Sequence, residues 1–232
     1  TGVHVHIGSG SDMEHLMLVG EATSSLARRI GPSVRRLSAG GGLPIPYREE
    51  DPEIDLATYF QIWDRDRRDL EEQFGHAVEL EIEPGRFLVA EAGSLICEIR
   101  AIKQTGKHTF YLVDAGFNNL ARPILYGAYH PISLVVSPDA AAEREPREVV
   151  VGGALCESGD VFTQDEGGFV RSQPLLDARV GEHLIIECAG AYGFVMSSNY
   201  NSKPFAAEVL VRDGEAHLVR QRESLDDLVR GE

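Results

Sequence analysis

The first 86 residues hold three short apolar runs separated by two helical repeats, and each run ends in residues capable of chemistry. Val3 to Ile7 alternates as a strand and leads into Gly8-Ser9. Asp12 or Ser11 can cap a helix in which Leu16, Val19, Leu26 and Ile30 recur at helical spacing. Val34 to Ser38 is a second strand, ending in Gly40-Gly41-Gly42, and Pro44, Pro46 and Pro52 mark a longer loop after it. Leu56, Tyr59, Phe60, Trp63, Leu70 and Phe74 form the apolar face of a second helix. Val78, Leu80 and Ile82 alternate in a third strand that closes on Glu83-Pro84-Gly85-Arg86. Strand–helix–strand–helix–strand is the order of a parallel α/β layer, because parallel neighbours need a crossover between them. Such layers place their active residues at the carboxyl ends of the strands.

From about residue 87 the period changes. Leu95, Cys97 and Ile99 alternate, as do the apolar positions of 110–113, 149–151 and 184–186. Glu208 to Val211 and His217 to Val219 predict a hairpin around Asp213-Gly214, and the tail from Ser224 predicts a short capped helix. The charged, apolar-poor stretch 137–146 reads as an exposed loop. The expectation is two domains, α/β over residues 1–90 and mostly antiparallel β over 91–232.

Charge and cysteine content narrow the function classes. A formal net charge of −15 disfavours nucleic acid or an anionic membrane surface as partner. No apolar run approaches the ~20 residues that span a bilayer. Cys97, Cys156 and Cys188 are few, odd in number and outside any metal-binding spacing, which fits reduced thiols in a cytoplasmic protein.

Five clusters carry candidate chemistry. His4 and His6, two apart on a strand, share a face. They could be a packed and a solvated histidine, or a metal pair of the kind hydrolase barrels place after a strand. Gly40–Gly42 lacks the Lys-Ser/Thr of a nucleotide loop, but its backbone can approach an anion closely. An ordinary flexible loop would read the same. Glu83 and Arg86 flank a rigid Pro-Gly step that could hold a carboxylate against a ligand nitrogen; a solvated pair is the bland alternative. Cys156-Glu157-Ser158-Gly159-Asp160 follows an apolar run, and the neighbouring acids disfavour a thiolate, so Cys156 suits proton donation better than nucleophilic attack. Gly190-Ala191-Tyr192-Gly193, followed by Met196 to Asn201, suggests a ligand-facing loop or a packed tyrosine corner.

Taken in order, these clusters resemble one family along almost the whole chain. The blocks are HVHIGSG (4–10), SAGGGLPIPY (38–47), EIEPGRFLVAEAG (81–93), VDAGFNNLARPILYGAYHPI (113–132), LCESGD (155–160) and GAYGFVMSSNYNSKP (190–204). They resemble the fold-type III pyridoxal-phosphate decarboxylases, and within them those acting on diaminopimelate. The resemblance implies the last part of a (β/α)₈ barrel followed by a mostly antiparallel β domain, with pyridoxal 5′-phosphate as cofactor. It also implies a homodimer with shared active sites and an amino acid as substrate.

The same resemblance assigns roles. His6 would stack on the cofactor ring, while Ser9 and Gly40, Gly41 and Gly42 would cradle its phosphate, with Gly85 and Arg86 in the adjoining loop also on the cofactor. Glu83 would face the pyridine nitrogen. Arg86, Arg122 and Tyr126 would hold the substrate's distal carboxylate, and Glu157 its distal ammonium. Cys156, presented to the neighbouring subunit, would be the proton donor, and Tyr192 would complete the phosphate or substrate contacts. None of Lys103, Lys107 and Lys203 stands in the family's cofactor-lysine motif. The chain is therefore expected to be a carboxyl-terminal piece, inactive alone. A metal hydrolase, a catalytically silent homologue and a decarboxylase of another basic amino acid are the alternatives.

Overall fold

A computed structural model of the chain describes residues 1–8 and 12–232. Ser9 and Ser11 fall outside the described residues. The chain divides into two units, Thr1–Glu91 and Ala92–Glu232.

In the first unit β1 (Gly2–His4), β2 (Arg36–Ser38) and β3 (Glu79–Glu81) form a parallel sheet in that order. Val3, Leu37 and Leu80 lie in register across it. Two helices connect the strands, α1 (Met13–Ile30) and α2 (Leu56–Phe74). Asp12 caps α1 by accepting the His15 amide, and Asp55 caps α2 by accepting those of Ala57 and Thr58. Gly75, left-handed at φ 72, ends α2. Leu37 and Leu70 are fully buried with Val3, Ala27, Val34 and Val78; burial of each leucine contributes about 1.5–3 kcal/mol.

The strands are shorter than alternation predicts, since the sheet ends at His4, Ser38 and Glu81. Past that line Gly40 takes φ 63, which turns the chain out of the extended path. The buried face of α1 is also rotated from the predicted one. It consists of Leu16, Gly20, Thr23, Ser24 and Ala27, whereas Leu26 and Ile30 are exposed. Polar residues fill the seam because they are bonded there. The Thr23 hydroxyl donates to the Val19 carbonyl, and the Ser24 hydroxyl donates to Asp66 Oδ2 on α2 at 2.7 Å. A short helix, α3 (Gly85–Val89), follows β3.

The second unit is built on a six-stranded sheet. Its strands are β4 (Leu95–Thr105), β5 (His108–Val113), β6 (Ile132–Val135), β7 (Pro146–Gly152), and two placed further on that are labelled after β8 (Gln164–Asp165) and β9 (Phe169–Val170), namely β10 (Gln173–Leu176) and β11 (His183–Ile186). The order is β10-β7-β5-β4-β11-β6. The sheet is mixed, because β5 and β7 pair in parallel while the other neighbours run antiparallel. Cys97, Ile99, Tyr111, Val149, Val151, Leu184 and Ile186 form the centre of its core. β8 and β9 pair separately.

Two short helices, α4 (Arg122–Tyr126) and α5 (Pro138–Ala142), sit in the connections. The second lies in the stretch expected to be a loop, and it forms because Ser137 caps it and Pro138 presets its first turn. β12 (Glu208–Arg212) and β13 (Glu215–Arg220) form the predicted hairpin, with Asp213 and Gly214 both at positive φ in its two-residue turn. The final helix, α6 (Leu225–Leu228), opens on a capping box between Ser224 and Asp227. Among the described residues no helix is long and apolar enough to cross a membrane.

Candidate active site

In the first unit the chain continues past the three strand ends as a hydrogen-bonded ledge. The Val5 amide donates to the Ser38 carbonyl, Ala39 to Glu81, and Glu83 to Gly40, at 3.2, 2.8 and 2.7 Å. These bonds bring His6, Gly40–Gly42 and Glu83 side by side. The Gly41 amide donates to His6 Nδ1 at 3.0 Å. That nitrogen is therefore the acceptor, and in the neutral ring the proton sits on Nε2. His4 does not join this site, since its Nδ1 lies 2.8 Å from the Ser38 hydroxyl.

The glycines are required by packing. A Cβ on Gly41 would stand 2.9 Å from both the Glu83 carbonyl and His6 Cε1. On Gly40 it would be 1.9 Å from the Val5 carbonyl, and on Gly42 2.5 Å from that of Gly8. The Gly41 N–H is already donated to His6, so this amide orients the imidazole rather than an outside anion. The His6 and Glu83 side chains are exposed on the ledge. Next to them Arg86, on α3, holds its guanidinium over the Tyr47 ring, 5.9 Å from its centroid. Tyr47 ends the second sequence block but has no role in the expected set. Gly85 is exposed at the start of α3, with no atom of the described residues close to where a Cβ would stand.

In the second unit Cys156 and Glu157 stand exposed at the tip of the loop after β7. The loop's base is tied down by Asp160, only 5% exposed. Its two oxygens accept the amides of Phe117 and Leu155, each at 2.7 Å. The Gly159 amide and then the Ser158 hydroxyl lower the Glu157 carboxyl below its ordinary range. The Tyr200 hydroxyl reaches the other Glu157 oxygen at 3.5 Å, while the Tyr200 ring lies 5.0 Å from that of Phe117.

Arg122, expected to meet a ligand, is buried at 5% exposure in α4. Its Nη1 donates to His130 Nε2 at 2.9 Å, which leaves His130 Nδ1 to donate to the Glu187 carbonyl at 2.8 Å. Tyr126 ends α4 exposed. Tyr192 takes φ 61 and is about one-third exposed. After that left-handed bend the chain runs close to Ala189, and only glycine fits at 193, where a Cβ would fall 2.2 Å from the Ala189 carbonyl.

The ledge fits pyridoxal phosphate on two counts. Glycine at position 41 lets the His6 imidazole close on the backbone and take a fixed tilt, and an exposed imidazole and an exposed carboxylate rise from the same shelf. Asp160, His130 and Tyr200 were given no part by sequence. Each lies inside a matched block, but its partners lie 5 to 57 residues away.

Comparisons with known proteins identify the family of the chain. A family model described as "Pyridoxal-dependent decarboxylase, C-terminal sheet domain" matches residues 17–190. Diaminopimelate decarboxylase of Streptomyces coelicolor is 49% identical over 231 residues, covering 100% of this chain and 52% of the relative. A crystal structure of diaminopimelate decarboxylase superposes with a TM-score of 0.93 at 46% identity, covering 99% of this chain and 55% of the other. A diaminopimelate decarboxylase from Helicobacter pylori complexed with L-lysine gives 0.83 at 33% identity, covering 99% and 54%. The chain spans about half the length of the curated relatives it matches. It belongs to the pyridoxal-dependent decarboxylase family.

Proposed function

We propose that this chain is the carboxyl-terminal part of a cytoplasmic, pyridoxal-phosphate-dependent enzyme that decarboxylates meso-diaminopimelate to L-lysine, the closing step of lysine biosynthesis. The observation that carries the reading is the convergence of His6, Gly40–Gly42 and Glu83 on one ledge at the ends of three parallel strands. These strands are read as the last three of a (β/α)₈ barrel, and the second unit as the β domain that follows it.

The cofactor, when bound, supplies an electron sink for the charge left on the α-carbon as CO₂ departs. The ledge residues hold it. His6, oriented by the Gly41 amide, would lie against the ring; the Glu83 carboxylate would keep the pyridine nitrogen protonated; Gly40–Gly42 and Gly85, and by resemblance Ser9, would border the phosphate. Arg86, Arg122 and Tyr126 bind the distal carboxylate of the substrate, a task for which a guanidinium fork is suited. Burial beside His130 fixes the direction of Arg122 before substrate arrives. Glu157, kept ionised by the Gly159 and Ser158 donors, accepts from the distal ammonium. Arg122 and Glu157 thus offer opposite charges to the two charges of the distal group, which favours diaminopimelate over ornithine or arginine. Cys156 delivers the proton to the α-carbon, and Tyr192 borders the phosphate and substrate. The active unit is a homodimer in which the partner subunit's Cys156 and Glu157 complete each site.

Turnover tests the reading. The complete protein, loaded with pyridoxal phosphate, should form L-lysine from meso-diaminopimelate, with kcat/KM for ornithine and arginine lower by a factor of about 10⁴ for lack of the distal carboxylate. Preference for ornithine would overturn the substrate. A cofactor-loaded protein that turns over none of the three would be the silent homologue.

A further inference from the structure

The turn that presents Cys156 and Glu157 is anchored by a carboxylate that has no part in the chemistry above. Both Asp160 oxygens are engaged by main-chain donors from separate segments. Leu155 immediately precedes the cysteine, and Phe117 lies in the loop after β5. A carboxylate accepts at both oxygens, whereas an amide offers one acceptor and one donor. The main chain closes the same knot, since the Gly153 amide donates to the Asp160 carbonyl at 2.8 Å and the Asp160 amide to that of Glu157 at 3.1 Å. There is little room for movement. A Cβ on Gly153 would stand 2.2 Å from Asp160 Oδ2, and one on Gly116 2.9 Å from the same atom. Burial pushes the Asp160 carboxyl above its ordinary value, against the pull of the Leu155 and Phe117 amides; the charge of Glu157 adds to the push and that of Lys203 opposes it.

We infer that Asp160 is a positioning residue, which fixes the height and direction of the Cys156–Glu157 turn by bridging the Leu155 and Phe117 amides. The inference rests on the proposed function, in which Cys156 and Glu157 meet the substrate.

The test compares Asp160→Asn, Gly153→Ala and Cys156→Ala in the complete, cofactor-loaded enzyme. Asparagine places a donor where an acceptor is needed, and Gly153→Ala keeps the carboxylate but displaces it. For both, kcat per cofactor-bound site should fall at least ~10-fold, as misplacement of a reacting group does, and KM should rise because Glu157 moves with the cysteine. The alkylation rate of Cys156 by iodoacetamide, read by mass, should change by about threefold or more as the thiol's access alters. Unchanged kcat, KM and alkylation rate with only a lower melting temperature overturn the inference. So does loss of the cofactor or the dimer in both variants, because Asp160 would then hold the fold and not the turn. If Cys156→Ala keeps full kcat, the proposed role of the cysteine has failed, and the alkylation rates of the other two variants still decide the anchoring.

Discussion

Gly41 and His6, 35 residues apart in the chain, meet through a 3.0 Å hydrogen bond from the glycine amide to the imidazole Nδ1. The bond sets both the tautomer and the tilt of the ring proposed to lie against the cofactor. It exists only because position 41 has no side chain.

Gly41→Ala follows from that contact. The new Cβ would press on His6 Cε1 and on the Glu83 carbonyl, each 2.9 Å away, without a φ that alanine resists. In the complete enzyme, affinity for pyridoxal phosphate should fall by about tenfold or more, the equivalent of losing one good hydrogen bond. Fluorescence titration with the cofactor measures it, and wild-type affinity would mean the ring lies elsewhere.

Ser24→Ala probes the seam between α1 and α2. Ser24 is fully buried and Asp66 is 5% exposed, and the hydroxyl donates to Asp66 Oδ2 at 2.7 Å. Removing the donor strips a buried carboxylate of one bond, at a cost of about 1–3 kcal/mol. Urea denaturation of the complete enzyme should show the loss as a lower midpoint, and an unmoved midpoint would mean that water replaces the hydroxyl.

How far the sequence could be read follows the kind of interaction involved. Hydrophobic period found the three parallel strands and the second unit's pleats, because Val3, Leu37, Leu80, Cys97, Ile99, Leu184 and Ile186 are packed by their apolar surface. It misplaced the inner face of α1, since Thr23 and Ser24 are buried through hydrogen bonds that hydropathy does not register. The short helix at Pro138–Ala142 was hidden because it contributes no buried residue. For the proposed site, block order nominated His6, Glu83, Cys156 and Glu157. The burial of Arg122 against His130 and the bond from the Phe117 amide to Asp160, 43 residues on, depend on contacts through the fold that apolar period does not register.

Cysteine reactivity distinguishes the buried thiol from the exposed one. Burial, and secondarily the charge of Asp114, pushes the Cys97 thiol up to about 12, whereas Cys156 is exposed. At about pH 8 the Cys97 thiolate is negligible, so iodoacetamide should label Cys156 first and Cys97 only after unfolding. Peptide mapping checks this. Labelling of Cys97 in the folded protein would contradict its burial.

A site shared between subunits, as proposed, predicts complementation. A Cys156→Ala subunit mixed with a subunit lacking the cofactor lysine should recover activity, because one site of the heterodimer receives both intact groups. Random pairing of equal C₂ partners makes about half the dimers mixed. Exchange confirmed by mass, with activity as low as in either parent, would place Cys156 and the lysine of one site in the same chain.

That the ledge seats the cofactor with Glu83 at its ring nitrogen is tested most directly by steady-state turnover of the Glu83→Gln enzyme. The amide keeps the shape of the side chain but cannot hold the nitrogen protonated. Cofactor content, read by absorbance, should stay near that of the wild type while kcat for meso-diaminopimelate falls by roughly 10² or more, in the range of a removed electrostatic interaction at a reacting centre. An undiminished kcat with the cofactor fully bound would show that Glu83 does not face the ring.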